Sequence, residues 1–476
     1  MCGIVGVSNH KEAAKVAFLG LYALQHRGEE AAGIASYDGK NIHLSKSQGL
    51  VADAFDEKDI ALLKGKVAIG HSRYSTTGSS NTKNIQPFLA MHKNKPIAIA
   101  HNGNLTNTEF LSKKLEEEGA IFQTTMDSEI IVHLLVRTKN GDLKQWFINA
   151  LSQIEGAFSM VFLVGETLVG VRDHFGFRPL CLGKLDDTYV LASETCALDL
   201  IRAEFIREIE PGEMVFINGN QLESHRLPAR SPVRKAHCVF ENIYFARPDS
   251  HIFDDSVYVV RKRLGAQLAR EHPVKDADFV MAIPDSGNYA AMGYSQELNL
   301  PLEVGMIRNH YIGRTFIQPS QFLRDFRVRV KLNPIHEVLD GKKVVVVEDS
   351  IVRGTTSRSR VEELRRAGAK EIHLRISCPP IKSPCFYGID FPSKKELVAY
   401  NKSVKEIGDF IKVDSLEYLS LEGMLKVMKH PDDFCTACFS GQYPSSIPKN
   451  KSKYLLEGSS AQSHNVTMSQ SHRINL

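Results

Sequence analysis

Short apolar runs bounded by turn residues recur through the first half of the chain: KVAIGHSRYS, KPIAIAHNGNL, AFSMVFLVGE and DTYVLASE. Runs of this length, rich in Val, Ile and Phe, predict strands. Two stretches, about 11–25 and 127–137, have helical spacing instead and predict helices. From about residue 274 the order changes to strand–helix–strand, with DADFVMAIP, KKVVVVED and EIHLRIS as the strands. That alternation predicts a parallel sheet covered by helices. The Pro- and Arg-rich stretch SHRLPARSPVRK (224–235) marks the boundary, and the polar, aperiodic stretch 449–476 predicts a disordered tail. The pattern thus predicts an α+β domain over residues 2–230 and an α/β domain over 231–448.

A chain of 476 residues suits two or three domains, and 43% hydrophobic with 24% charged residues suits an ordinary soluble protein. With 59 Lys and Arg against 55 Asp and Glu, the net charge of +4 is too mild to predict a nucleic-acid surface. No apolar run approaches the ~18 residues of a membrane helix. No basic segment leads into an apolar one at the N-terminus, so a cytoplasmic protein is expected. Eight cysteines in 476 residues do not make a disulfide scaffold. Cys435 and Cys438 have ligand-like spacing, which suits half of a zinc or iron–sulfur site, or two buried thiols.

Removal of Met1 from Met1-Cys2-Gly3 leaves a cysteine with both a thiol and a free α-amino group. Near neutral pH that amine can serve as the base for its own nucleophile. An amide-cleaving thiol needs an oxyanion hole, which Asn102 and the backbone amide of Gly103 can form. An arginine suits an amino acid's α-carboxylate and an aspartate its ammonium group, and Arg73 and Asp127 are the candidates. Read singly, each has a plainer role: Asn-Gly is a common turn dipeptide, Asp127 a helix cap, Arg73 a surface charge. Together MCGIVG, LQHRG (24–28), GHSRYSTTG (70–78), AHNGNL (100–105) and MDSE (126–129) closely resemble the class II glutamine amidotransferases, the N-terminal-nucleophile glutaminases of αββα fold. The resemblance implies that Cys2 attacks the glutamine side-chain amide once Met1 is removed. It further implies that Arg73 and Asp127 hold glutamine, Asn102 and Gly103 stabilise the oxyanion, and Arg27 shapes the pocket.

In the second half, KKVVVVEDSIVRGTTSRSRVEELRRAGAK runs from a strand through Glu348-Asp349 and a Ser/Gly/Thr-rich turn into a helix. The helix is expected to start at Thr355 or Thr356 and to stop near Gly368. Its first amides can receive a phosphate, with Ser350, Thr355 and Thr356 adding hydroxyls beside Gly354. The paired carboxylates suit ribose hydroxyls or Mg²⁺. An ordinary strand–helix turn capped by threonine is the plainer alternative. No GxxxxGK[ST] or GxGxxG loop is present.

This stretch resembles the 5-phosphoribosyl-1-pyrophosphate (PRPP) motif of type I phosphoribosyltransferases. By that resemblance Asp285, Ser286 and Gly287 of FVMAIPDSGNYAA bind pyrophosphate, with Ser286 nearest the metal. Glu348 and Asp349 serve ribose and Mg²⁺, and a flap carrying Arg314 and Lys331 closes over PRPP. A glutaminase joined to such a transferase, with ENIYFARPDSHIFD (241–254) between, resembles the glutamine PRPP amidotransferase family over about residues 2–445. That family makes 5-phosphoribosylamine, glutamate and pyrophosphate from PRPP, glutamine and water, the first step of purine synthesis, passing ammonia internally. The resemblance implies tetramers or dimers and inhibition by purine nucleotides. One branch carries a [4Fe–4S] cluster, and its pattern matches Cys238, Cys385, Cys435 and Cys438, with zinc the runner-up for the same thiolates.

Overall fold

The computed structural model describes residues 1–74, 81–138, 141–229, 234–310, 332–391 and 393–447. Among them, the first half forms two antiparallel sheets. Seven strands run in the order Glu204–Glu208, Cys181–Leu185, Thr188–Ala192, Gly3–Val7, Val67–Arg73, Ala31–Tyr37, Ile42–Gln48. Six more run Gln221–Arg226, Glu213–Asn218, Thr167–Arg172, Gly156–Val164, Lys95–Leu105, Phe88–His92.

Central strands such as GIVGV and GAFSMVFLV are buried at every position. Their unbroken apolar runs follow from having both faces covered. Ile4, Ile69, Ala100, Val161 and Leu191 fill the space between the sheets. Helices Ala13–Ala23 and Thr195–Ile201 cover one sheet with Val16, Leu21 and Leu198. Helices Thr108–Glu117, Asp127–Val136 and Leu143–Leu151 cover the other with Leu111, Ile131 and Phe147. The four layers are α, β, β and α, as the glutaminase resemblance implies.

The second half holds a parallel sheet in the order Phe279–Ala282, Lys343–Glu348, Glu371–Ile376, Ser415–Tyr418. Helix Asn288–Leu298 follows the first of these strands and Thr355–Arg366 the second. The latter stops as expected, with Ala367 at its C-cap and Gly368 beyond it at φ +95°. The boundary segment starts later than its composition suggests, because Ser224–Arg226 continue the strand Gln221–Arg226, paired in register with Glu213–Val215. The predicted tail, 449–476, lies outside the described residues.

One of the apolar clusters spans both halves. Met1, Ala157 and Phe177 belong to the same apolar cluster as Cys238, Phe240 and Tyr387.

Candidate active site

Cys2 is buried at the lip of strand Gly3–Val7, which pairs antiparallel with Val67–Arg73. Its backbone N donates to Asn102 Oδ1 at 3.2 Å, and its Sγ lies 3.4 Å from Tyr74 O. Asn102 and Gly103 are not in a turn. They sit within strand Lys95–Leu105, opposite Ser159 and Phe158 of Gly156–Val164. The Asn-Gly turn signal fails because the ladder to Gly156–Val164 continues through both residues. Glycine is required at 103 by close approach: a Cβ there would lie 2.0 Å from Ala157 O. The Asn102 Nδ2 amide is buried and, among the described residues, has no hydrogen-bond partner.

Arg73 ends its strand, buried, with Nη1 donating to Asn84 O, and it lies in electrostatic reach of Cys2, Glu30 and Asp127. Asp127 is the first helical residue after Met126 and accepts from Leu105 N at 3.0 Å. His101 Nδ1 lies 3.4 Å from the Asp127 carboxylate. Burial works against charge on both partners, yet each stabilises the other: Asp127 is held below the usual carboxylate range and His101 above the usual imidazole range. His101 had no role assigned from sequence, although it stands in AHNGNL directly before Asn102.

Arg27 is fully buried and its guanidinium is engaged on three sides. Nε donates to Cys2 O at 2.9 Å, Nη1 and Nη2 form a fork on Glu241 at 3.0 and 2.9 Å, and Nη1 also pairs with Glu194. Glu194 additionally meets His26 Nε2 at 2.8 Å, Ser250 Oγ at 2.7 Å and Arg247 N at 2.8 Å. Arg178 reaches the same Glu241 at 3.3 Å. Arg27 thus anchors the backbone of Cys2 to Glu241 in the second half. Glu194, Arg178 and Glu241 were missed at the sequence level, where Glu241 passed as part of the ENIYFARPDS resemblance.

In the second half, neighbouring strand ends bring two loops together, with Ala282 opposite Val347. Gly287 is at the N-cap of helix Asn288–Leu298, and a Cβ there would lie 2.4 Å from Val347 O. Ser286 and Ser350 both donate their hydroxyls to Asp349, while Asp285 pairs with Arg308. Glu348 accepts from Ser357 Oγ at 3.0 Å and pairs with Arg360. Burial raises Asp349 and lifts Glu348 to about 7 despite the nearby Arg360. Gly354 caps helix Thr355–Arg366 in the left-handed region at φ +77°, leaving Thr355 and Thr356 exposed on its first turn. The first amides of that turn have no intrahelical acceptor. Arg314 and Lys331 lie outside the described residues. A short antiparallel ladder of Met306–Arg308 with Leu332–Pro334 leads toward and away from them.

Cys238 and Cys435 stand in register on a two-stranded parallel ladder, Cys438 follows on the next helical turn, and Cys385 is within electrostatic reach of all three. All four are free thiols. Among the described residues, no three His, Cys, Asp or Glu side chains converge at metal-binding distance. No helix of the described residues is long and apolar enough to cross a membrane.

The glutamine amidotransferase domain family matches residues 71–200, and the phosphoribosyl transferase domain family matches residues 260–413. The amidophosphoribosyltransferase of Methanocaldococcus jannaschii is 50% identical over 464 residues, covering 94% of this chain and 98% of the relative. That of Bacillus subtilis is 46% identical over 452 residues, covering 94% of each. A solved structure of B. subtilis glutamine PRPP amidotransferase, complexed with ADP and GMP, superposes with a TM-score of 0.89 at 45% identity, covering 95% of this chain and 99% of that one. Another, described as the allosteric regulatory enzyme of purine biosynthesis, reaches 0.90 at 45% identity and covers 94% and 97%. With two domains in this order and near-complete coverage at this identity, the chain belongs to the amidophosphoribosyltransferase family.

Proposed function

We propose that the chain makes 5-phosphoribosylamine from PRPP, glutamine and water, releasing glutamate and pyrophosphate, with the first step at Cys2. The buried, unpartnered Asn102 Nδ2 beside Cys2 is the observation that supports this reading most. A donor in that position costs stability unless a later state supplies an acceptor, and the oxyanion formed at an attacked amide is such an acceptor.

The freed α-amino group of Cys2 takes the thiol proton, and Sγ attacks the glutamine side-chain carbon. Asn102 and Gly103 stabilise the oxyanion while Arg73 and Asp127 hold the two charged ends of glutamine. Collapse expels ammonia, and water then frees glutamate from the thioester. In the second half, Asp285, Ser286 and Gly287 receive pyrophosphate. The turn from Ser350 through Gly354 to Thr355 and Thr356 receives the 5-phosphate on the helix N-terminus. Arg314 and Lys331 would bind PRPP as the family resemblance implies. Ammonia displaces pyrophosphate at the sugar carbon, so the protein's task is positioning and charge stabilisation.

Ser286, Glu348 and Asp349 would hold Mg²⁺: the Ser286 hydroxyl already bonds Asp349, while Glu348 is engaged by Ser357 and Arg360 and would have to be shared with the ion. The ion would offset charge on the leaving pyrophosphate. Four free thiols in mutual electrostatic reach suit a tetrathiolate group, and Cys238, Cys385, Cys435 and Cys438 would hold a [4Fe–4S] cluster. Iron and acid-labile sulfide in anaerobically purified protein would support the cluster, and stoichiometric zinc would replace it. Purine nucleotides are the expected inhibitors and a homotetramer or homodimer the expected cytoplasmic assembly, checked by inhibition kinetics and light scattering.

The direct test measures pyrophosphate and glutamate released on mixing PRPP, Mg²⁺ and glutamine. One-to-one release is expected. Cys2→Ser should abolish it with glutamine and preserve pyrophosphate release with ammonia. Loss with both nitrogen sources, in a folded variant, would refute the assignment of Cys2.

A further inference from the structure

We propose that the transferase half completes the glutaminase: its loop Phe386–Gly388, held in place by Arg178 of the glutaminase half, positions the oxyanion donor Gly103. The inference rests on the reading of Asn102 and Gly103 as the oxyanion pair.

Three contacts carry it. Asn104, next to Gly103, donates Nδ2 to Phe386 O at 3.0 Å. At Gly388, φ +102°, an added Cβ would stand 3.0 Å from Gly103 C and 3.1 Å from Gly103 O, so the two glycine backbones are in direct contact. Between them, Arg178 donates Nε to Tyr387 O at 3.0 Å and Nη2 to the same oxygen. Arg178 is fully buried, and its remaining nitrogen is fixed on Glu241. Phe177 stacks on Tyr387 with ring centroids 4.2 Å apart and planes at 19°. The opposite side of Gly103 is closed by Ala157 O, 2.0 Å from where a Cβ would stand.

Gly103 is therefore held between its own sheet and a loop of the other half. An oxyanion donor counts only when its nitrogen sits about 2.7–3.1 Å from the developing charge, so a displacement of a few tenths of an ångström is felt in the rate. The loop acts on the transition state of glutamine cleavage, whereas substrate glutamine is held elsewhere, by Arg73 and Asp127. The chemistry of the transferase half does not use it.

The test compares Gly388→Ala and Asn104→Ala with the parent enzyme, using both nitrogen sources. The Cβ in the first variant pushes on Gly103, and the second removes one hydrogen bond without adding volume. In Gly388→Ala, kcat with glutamine is expected to fall about tenfold to a hundredfold, part of the 10²–10³ that a lost donor costs. KM for glutamine and the rate with ammonia should stay within about twofold, the pattern of an interaction made only in the transition state. Asn104→Ala should show a smaller loss of the same shape, and it serves as the readout where Gly388→Ala does not fold. A rise in KM alone, an equal fall with ammonia, or no change in either variant would overturn the proposal. Asn102→Ala, measured alongside, separates the two readings. If it retains glutamine turnover, the oxyanion assignment itself fails; if it loses turnover while the loop variants keep it, only the positioning role fails.

Discussion

Arg27 offers the sharpest perturbation, because one side chain ties the backbone of Cys2 to two buried acids. Replacing it with methionine keeps most of the volume and removes every donor. Glu241 is left with Arg178 at 3.3 Å, and Glu194 with His26, Ser250 and the Arg247 amide. Removing one partner of a buried ion pair costs about 3–5 kcal/mol, mostly from the charge left behind. For a cooperative unit of roughly 150–250 residues each kcal/mol is worth about 2–4 °C, so the first transition should move down by about 6–20 °C. Arg27→Lys retains the charge and loses the fork, and it should fall between parent and Arg27→Met.

Glu194 adds a pH signature. Burial pushes its carboxyl up, but His26 and Arg27 hold it well below the usual range. A depressed carboxyl stabilises the fold above its unfolded value and loses that contribution as pH falls. The gap between parent and Arg27→Met should therefore be constant near neutrality and narrow below about pH 4. Scanning calorimetry at a fixed rate across pH provides both tests. A shift under about 2 °C at neutral pH, less than one kcal/mol on this scale, would refute the view that the network holds charge that cannot be stranded.

Gly103→Ala places a Cβ 2.0 Å from Ala157 O, so the strand must part from its neighbour. Glutamine-dependent turnover should fall about 10²–10³-fold with the ammonia rate largely kept, and equal loss of both would count against the assignment. Glu348, lifted to about 7 by burial, is protonated in roughly nine of ten molecules one unit below that value. PRPP binding with Mg²⁺ should thus tighten as pH rises through about 7, and Glu348→Gln should flatten the profile measured by titration calorimetry. The raised value also means that the protein without PRPP loses stability over the same rise. Cys438→Ala should strip bound metal to background in elemental analysis while Cys378→Ala leaves it unchanged, and the reverse outcome would reassign the thiol set.

The strand and helix pattern was legible because most elements are buried on both faces or on one clear stripe. The stretch 127–137 resolves to Asp127–Val136, and KPIAIAHNGNL to Lys95–Leu105 without loss. What misled was local chemistry overridden by pairing: Asn102-Gly103 reads as a hairpin turn, yet it lies mid-ladder opposite Ser159 and Phe158. The strand–turn–helix after Glu348-Asp349 was legible, with the helix start at Thr355 as expected, because it is a local object; Gly354 rather than a threonine stands at its cap. The ion network was not. Glu194 and Glu241 sit 167 and 214 residues from Arg27, and nothing in the spacing of single acids predicts a shared partner.

That network also bears on why two catalytic halves share a chain. A buried cluster of two arginines and two glutamates is no more stabilising than well-packed apolar residues of the same volume. What it adds is geometry. An apolar contact tolerates sliding, whereas the Arg27 fork on Glu241 and the Arg178 nitrogens on Tyr387 O fix distance and angle together. Both arginines belong to the glutaminase half, and both acceptors belong to the transferase half. One arginine ends on the carbonyl of Cys2 and the other beneath the loop that touches Gly103. Cys2 and Gly103, the proposed nucleophile and oxyanion donor, are thus each referenced to the transferase half. On that proposal a shift between the halves would reach both at once, and release of ammonia would be tied to a correctly docked transferase.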